Sequence, residues 1–259
     1  MITMIAFSVV LGLIVGSFLN VCIYRIPRNL SIVSPGSACP SCKEPIQPWD
    51  NIPVFSYIFL RGRCRNCGEK ISARYPAVEL LNGLLYAAVF LRFGPGWHLP
   101  FFFAFVSAMI VITFIDLEFQ IIPDVITLPG IVIGLAAAEF LIADCFASQT
   151  MLGFVDSLIG FLAGGAVFYL IAILSRGGMG GGDVKMMAMV GAFTGWKGVF
   201  MTTLIGSVTG SLIGIGMMIF TGAGRKTKVP FGPFLALGAL ITLFGGEEIF
   251  GWIFPDLMN

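Results

Sequence analysis

The sequence predicts an all-α polytopic membrane protein, with about eight transmembrane helices and a small polar domain between the first and the second. Three observations predict it. Of 259 residues, 57% are hydrophobic and only 11% charged, and the mean hydropathy is +0.95; soluble domains carry about 25% charged residues. The apolar residues gather in runs of about 20, the length a helix needs to cross a bilayer. The Lys and Arg residues gather in segments that an eight-helix path places on one face. The net charge of +1 says little about partners.

The first run covers about 4–24 and ends at YRIPR. It begins without basic residues, and GSFLN inside it is not a small-residue cleavage site, so a helix is expected and not a removed signal peptide. A polar stretch follows at roughly 25–75. Further runs cover about 76–93, 99–118, 124–143, 152–175, 184–196, 198–221 and 230–253. The run at 184–196 is short and bounded by glycine. The chain thus divides into a first helix (1–24), a cytoplasmic domain (25–75) and a transmembrane core (76–259).

Orientation follows from the basic residues. Of 15, eight lie in the polar stretch: Arg25, Arg28, Lys43, Arg61, Arg63, Arg65, Lys70 and Arg74. Arg176, Lys185, Arg225, Lys226 and Lys228 fall on the same side, and only Arg92 and Lys197 on the other. The rich side is expected to be cytoplasmic, with both termini outside. Small residues at i, i+4 predict close helix packing: Gly12 and Gly16, Gly160 and Gly164, and Gly206, Gly210 and Gly214.

The polar domain carries CPSC and CRNC, placing Cys39, Cys42, Cys64 and Cys67 as two C-x2-C turns. Two such turns can close a tetrahedron around zinc. Two disulfides are the alternative, disfavoured on a face where thiols stay reduced. Four thiolates leave no open position for water, so the zinc would be structural, a staple for a segment with few aliphatic residues. Cys22 and Cys145 read as packing.

Ionisable groups within a membrane are costly and are functional candidates. Asp116 ends the third run, in TFIDLEFQIIPD, and Asp183 opens the sixth, after GGMGGG. The path puts both at cytoplasmic helix ends, where they can meet. Two close carboxylates do not both ionise; one can activate water while the other protonates or polarises a carbonyl, which is aspartic protease chemistry. The bland alternative makes Asp183 a helix N-cap. Asp124 fits a cap, Asp156 an interfacial charge, and Glu118 a position facing cytoplasmic water. Glu79 can snorkel, pair with Arg74 or line a site. Asn20, in the first helix with Ser17, can bond across helices or bind a ligand. The glycines leave room and free backbone groups for an extended peptide. GGMGGGDVK is not a phosphate-binding pattern, and its aspartate would repel phosphate.

In this order, GSFLNVCIYRIPR, CPSC, CRNC, ISARYPAVELL, IDLEFQIIPD and GGGDVKMMAMVGAF resemble the bacterial type IV prepilin peptidases. These are bifunctional leader peptidases and N-methyltransferases of the GxGD class of intramembrane aspartyl proteases. The resemblance implies that Asp116 and Asp183 are catalytic, that Gly180 and Gly182 are the glycines of GxGD beside the substrate, and that Cys39, Cys42, Cys64 and Cys67 are the family's four cysteines. It implies a multi-pass enzyme of the bacterial inner membrane that cleaves the basic leader of type IV prepilins and type II secretion pseudopilins after a Gly. The new N-terminal residue would then be methylated with S-adenosylmethionine. The expected cofactors are structural zinc and this methyl donor; the expected partners are those substrates and membrane lipid, with no nucleic acid. No Rossmann fingerprint marks a methyl-donor site, and Asn20, Arg25 and Glu79 are the candidates for it. Two rivals remain at this point: a transporter with a zinc-bound domain, which expects inverted repeats that are not seen, and a methyltransferase without protease action.

Overall fold

The apolar runs become helices in a computed structural model that describes residues 1–147, 150–175, 179–221 and 229–255. Among these residues the chain is helical, with isolated bridges but no named strand. Helix α1 is Ile2–Arg25, and the short α2, Phe55–Phe59, lies in the polar module. Helices α3 (Arg74–Phe93) and α4 (Leu99–Phe119) follow, then α5 (Asp124–Ala137), α6 (Phe154–Leu174), α7 (Gly181–Thr221) and α8 (Gly232–Ile253). Six of these are long and apolar enough to cross a membrane. Helix α7, at 41 residues, would reach ~60 Å if straight, twice a bilayer core. It breaks at Gly195, whose φ of 68° lies in the left-handed region. That break separates the two apolar runs expected at 184–196 and 198–221.

The expected run at 124–143 is too long. Helix α5 stops at Ala137; beyond it the chain bridges to the segment before α6, Ala143 to Met151, with the Ile142 and Ala138 carbonyls accepting from the Leu152 and Gly153 N–H groups. Glu139 lies just past that end, and its carboxylate accepts the backbone N–H of Phe154, the first residue of α6, at 2.8 Å.

Packing rests on small residues. A Cβ on Gly12 would lie 2.7 Å from the Gly83 Cα, and one on Gly16 would lie 2.7 Å from the Glu79 Cα, so α1 and α3 touch backbone to backbone. Helices α6 and α7 meet likewise, Gly160 against Gly191 and Gly164 against Met187. Gly206 and Gly210 pack against Leu235 and Phe234 of α8, but Gly214 meets nothing within 4 Å and leaves the row. The buried core is built of Phe102, Phe105, Met109, Phe168, Met186, Val190 and Leu243 among others. Phe7, Leu162 and Tyr169 face outward, as a lipid-facing surface requires.

Charge marks the two ends of the bundle. At one end Glu118 pairs with Arg28 and Arg74, at 3.3 and 2.7 Å, and Lys185 pairs with Asp124 at 2.7 Å. At the other, Arg92 meets Glu247 and Glu248, and Lys197 stands 5.5 Å from the Phe250 ring. The two basic residues assigned to the minority face thus share one end. Arg176, Arg225, Lys226 and Lys228 lie outside the described residues.

Candidate active site

Helix α4 ends because Gln120 turns into the left-handed region, its N–H closing onto the Asp116 carbonyl. That turn sends residues 120–123 back across the bundle end. Asp116 is buried, 6% exposed, and its Oδ2 accepts the backbone N–H of Gly232, the first residue of α8, at 3.0 Å. A Cβ at Gly232 would lie 2.6 Å from that same oxygen, so the carboxylate or the helix start would have to shift to admit one.

Asp183 is also buried, 8% exposed, and is the third residue of α7. It is not the N-cap. Its Oδ2 reaches back to the Gly180 N–H at 3.2 Å, while its own N–H donates to the Gly180 carbonyl. This is the reach-back half of a capping box, with Asp in the place of Glu. Ile122 joins the two carboxylates. Its Cβ would stand 2.8 Å from a Cβ on Gly182, and its Cδ1 3.3 Å from one on Gly232. One loop residue therefore touches the glycine next to Asp183 and the glycine bonded to Asp116, which sets both carboxylates around it at one end of the bundle. The space beside Gly182 is filled by Ile122, whereas a Cβ on Gly181 would meet nothing within 4 Å. Gly177 and Gly178 lie outside the described residues.

Two expectations for nearby acids change. Asp124 does not cap α5, whose N-cap is Pro123, because its carboxylate is held by the Lys185 ammonium. Glu79 does not pair with Arg74, which is taken by Glu118; its Oε2 accepts the Val54 N–H at 2.7 Å, and it bonds the Ser17 hydroxyl. Asn20 is buried and donates to the Gly16 and Tyr75 carbonyls, so it bonds across to the start of α3. Arg25 donates to the carbonyls of Ser31, Pro35 and Gly36 and ties down the loop after α1.

The four cysteines come together. Their sulfurs all lie within 4.8 Å of one another. The two C-x2-C turns repeat one geometry: the Cys39 and Cys64 carbonyls accept from Lys43 and Gly68, both at positive φ, and the Cys39 and Cys64 N–H groups donate to Glu44 and Glu69. A tetrahedral zinc with Zn–S of about 2.3 Å sets its sulfurs about 3.8 Å apart. The Cys39 and Cys67 sulfurs are 3.8 Å apart. The donor set therefore fits zinc, and this spacing is far beyond a disulfide bond. The Cys42 backbone N–H holds the Cys39 thiol down to about 7. The Glu69 N–H pulls on Cys67 too, but desolvation and the three other thiols outweigh it and push that thiol up to about 12. The Cys39 thiolate forms readily while the Cys42 and Cys67 thiols resist ionising, so a full set of thiolates needs a cation among them. Arg65 and Asp50 close the module with two hydrogen bonds of 2.8 and 2.6 Å.

Sequence reasoning missed Gly232 and Ile122. Only weak signals existed for them: a Gly before Pro at a helix start in VPFGPF, and an apolar pair between Asp116 and Pro123.

Together these features define a polytopic helical membrane protein with a buried carboxylate pair at one end of its bundle and a four-cysteine module beside its first helix. The Bacterial Peptidase A24 N-terminal domain matches residues 10–93, and the Type IV leader peptidase family matches residues 103–215. The prepilin leader peptidase/N-methyltransferase of Pseudomonas aeruginosa is 36% identical over 266 residues, covering 93% of this chain and 90% of that one. The protein of the same name from Aeromonas hydrophila is 35% identical, covering 95% and 92%, and that from Myxococcus xanthus is 42% identical, covering 86% and 66%. The chain belongs to the prepilin leader peptidase/N-methyltransferase family. No solved structure matches it.

Proposed function

We propose that this protein is an inner-membrane enzyme that removes the leader of type IV prepilins and type II secretion pseudopilins and then methylates the new N-terminus. The observation that carries the reading is the placement of Asp116 and Asp183, both buried and each accepting a backbone N–H, around one loop residue, Ile122, at one end of the bundle. One carboxylate, ionised, takes a proton from water as its oxygen attacks the scissile carbonyl. The other, protonated, supplies a proton as the C–N bond breaks, so the amine leaves neutral. The Gly232 and Gly180 N–H groups orient the two carboxylates. Of the two GxGD glycines, Gly180 and the open backbone at Gly181 are the proposed substrate-side positions, while Gly182 packs against Ile122.

Methyl transfer follows. S-adenosylmethionine, when bound, would supply the methyl group to the amine that cleavage frees. Asn20, Arg25 and Glu79 are the candidates for the donor site. The four cysteines would hold zinc as a structural staple for the 25–75 domain, on the cytoplasmic side with the aspartates; residues 1–24 and 76–259 would form the membrane part, with both termini outside. Family membership and the clustering of basic residues at the carboxylate end support this orientation.

The test is incubation of the purified protein in detergent with a synthetic prepilin and labelled S-adenosylmethionine, followed by mass measurement. The expected product lacks the leader and carries one labelled methyl group. An intact prepilin after complete incubation would overturn the reading.

A further inference from the structure

The carboxylate site is walled unequally. A Cβ on Gly180 would stand 3.5 Å from Asp183 Oδ2, an ordinary contact, and one on Gly181 would meet nothing within 4 Å, so this side of Asp183 is open. The other side is closed by Ile122. A Cβ on Gly182 would lie 2.8 Å from the Ile122 Cβ, and one on Gly232 would lie 3.3 Å from the Ile122 Cδ1. Ile122 thus spans from the glycine beside Asp183 to the glycine bonded to Asp116. Both carboxylates are buried, whereas Ile122 is only partly buried, so some of its side chain stays free to meet a third group.

Ile122 is also pinned from both directions along the chain. Before it, the Gln120 N–H donates to the Asp116 carbonyl at 2.9 Å. After it, the ring of Pro123 fixes the backbone, and the Pro123 carbonyl accepts the Ile126 N–H at 3.1 Å. Asp124 is then gripped through both oxygens by the Lys185 ammonium, at 2.8 and 2.7 Å. Lys185 lies two residues past Asp183, so this ion pair ties the loop to the start of α7. A β-branched side chain on a fixed backbone has few rotamers into which to yield.

We propose that Ile122 is the specificity-determining residue of the peptidase site, leaving room for hydrogen alone on the substrate residue whose carbonyl is cleaved; the proposal rests on the peptidase reading above. Hydrolysis needs that carbonyl held between the two carboxylates, in line with the attacking water. The Cα attached to it then comes up against Ile122. At this wall the protein itself carries glycine twice, at Gly182 and Gly232, and a Cβ at either would be closer than the 3.4 Å of ordinary contact. The substrate residue is a third glycine against the same side chain. A β-carbon there has to displace Ile122 or draw the carbonyl out of line. Substrate side chains over Gly180 and Gly181 meet open space and are free to vary.

The experiment uses the full chain in detergent with three synthetic prepilins that differ only in carrying Gly, Ala or Val before the scissile bond. Mass measurement of the products gives kcat/KM for each. The wild-type protein is expected to prefer Gly over Ala by ~10-fold or more, the scale on which a closed apolar pocket discriminates one carbon, and to prefer Gly over Val by more. Ile122→Ala is expected to narrow the Gly/Ala and Gly/Val ratios by ~5-fold or more. Ile122→Val, which removes only the Cδ1 methyl, is expected to shift them the same way by less. Ile121→Ala, at the exposed neighbouring position, is expected to keep the wild-type ratios. A loosened fold lowers all three substrates together, so the ratios separate selectivity from stability, and thermal unfolding reports whether each variant folds. Equal cleavage of the Gly and Ala substrates by the wild-type protein, or unchanged ratios in Ile122→Ala, would overturn the assignment. Should the alanine variant not fold, unchanged ratios in Ile122→Val would do so. A wild-type protein that leaves even the Gly substrate intact would instead overturn the peptidase reading.

Discussion

Replacing Gly232 with alanine isolates the contact that holds Asp116. A Cβ at that position stands 2.6 Å from Asp116 Oδ2 and 3.1 Å from its Cγ, while ordinary contact begins at 3.4 Å. The carboxylate must therefore retreat by 3.4 − 2.6 = 0.8 Å, or α8 must tilt by as much. Either movement stretches the 3.0 Å hydrogen bond from the Gly232 N–H. A hydrogen bond to a charged acceptor contributes ~1.5–3 kcal/mol, and a misplacement of about 1 Å in a catalytic group costs ~100-fold in rate. The expected result is a fall in kcat/KM of ~100-fold, equivalent to ~2.7 kcal/mol. Gly232 is not at positive φ, but it precedes Pro233 at the start of α8, where a Cβ also crowds the proline ring; the parallel thermal unfolding separates that local cost from the loss of the Asp116 contact. Gly245→Ala in the same helix, whose Cβ would meet Ile249 Cδ1 at 3.6 Å, is the control; it is expected to leave cleavage unchanged. The assay is prepilin cleavage in detergent, with thermal unfolding followed in parallel. Full cleavage by Gly232→Ala at unchanged stability would refute the role given to this bond.

The remaining predictions concern the pair, the metal and the scaffold. Asp116→Asn and Asp183→Asn are each expected to reduce cleavage by ~100-fold or more, the scale of a lost general acid or base; substantial activity in either variant would break up the pair. Purified protein is expected to carry one zinc per chain. Since binding requires four thiolates and the Cys42 and Cys67 thiols are raised, zinc uptake at neutral pH releases protons and the affinity falls as pH drops, more steeply below about 7 where Cys39 is protonated as well; titration with a chromogenic chelator across pH checks the sign. Glu118→Gln removes two partly exposed ion pairs, each worth ~0–1 kcal/mol, so a small drop in thermal midpoint is expected with cleavage retained. Gly191→Ala would drive a Cβ into the Gly160 backbone and to 2.9 Å from the Phe161 N; overpacking of this kind costs ~1–3 kcal/mol, read as a clear loss of thermal stability, while Gly214→Ala is expected to be neutral.

Much of this architecture was legible because its signals are local. A run of about 20 apolar residues is a helix wherever it sits, since lipid satisfies no backbone polar group. The break at Gly195 was legible as the boundary between two runs, and the cysteine tetrad as two repeated turns. Even the small-residue rows could be read, although Gly214 shows that spacing does not say where a partner helix ends. The overlong fourth run is different. Nothing in residues 138–143 announces the bridge from Ala143 to Met151 or the Glu139 bond to the Phe154 N–H, fifteen residues on.

The sequence by itself determined that this is a polytopic membrane protein, that Asp116 and Asp183 stand at helix ends, and that four cysteines can share a metal, because composition, period and spacing are properties of the chain alone. Only the tertiary structure decided how those residues are held. It brought Gly232 to Asp116 across 116 positions, set Ile122 against both site glycines, and gave Glu79 to Val54 and not to Arg74. These are contacts between elements distant in sequence, and helix packing places them.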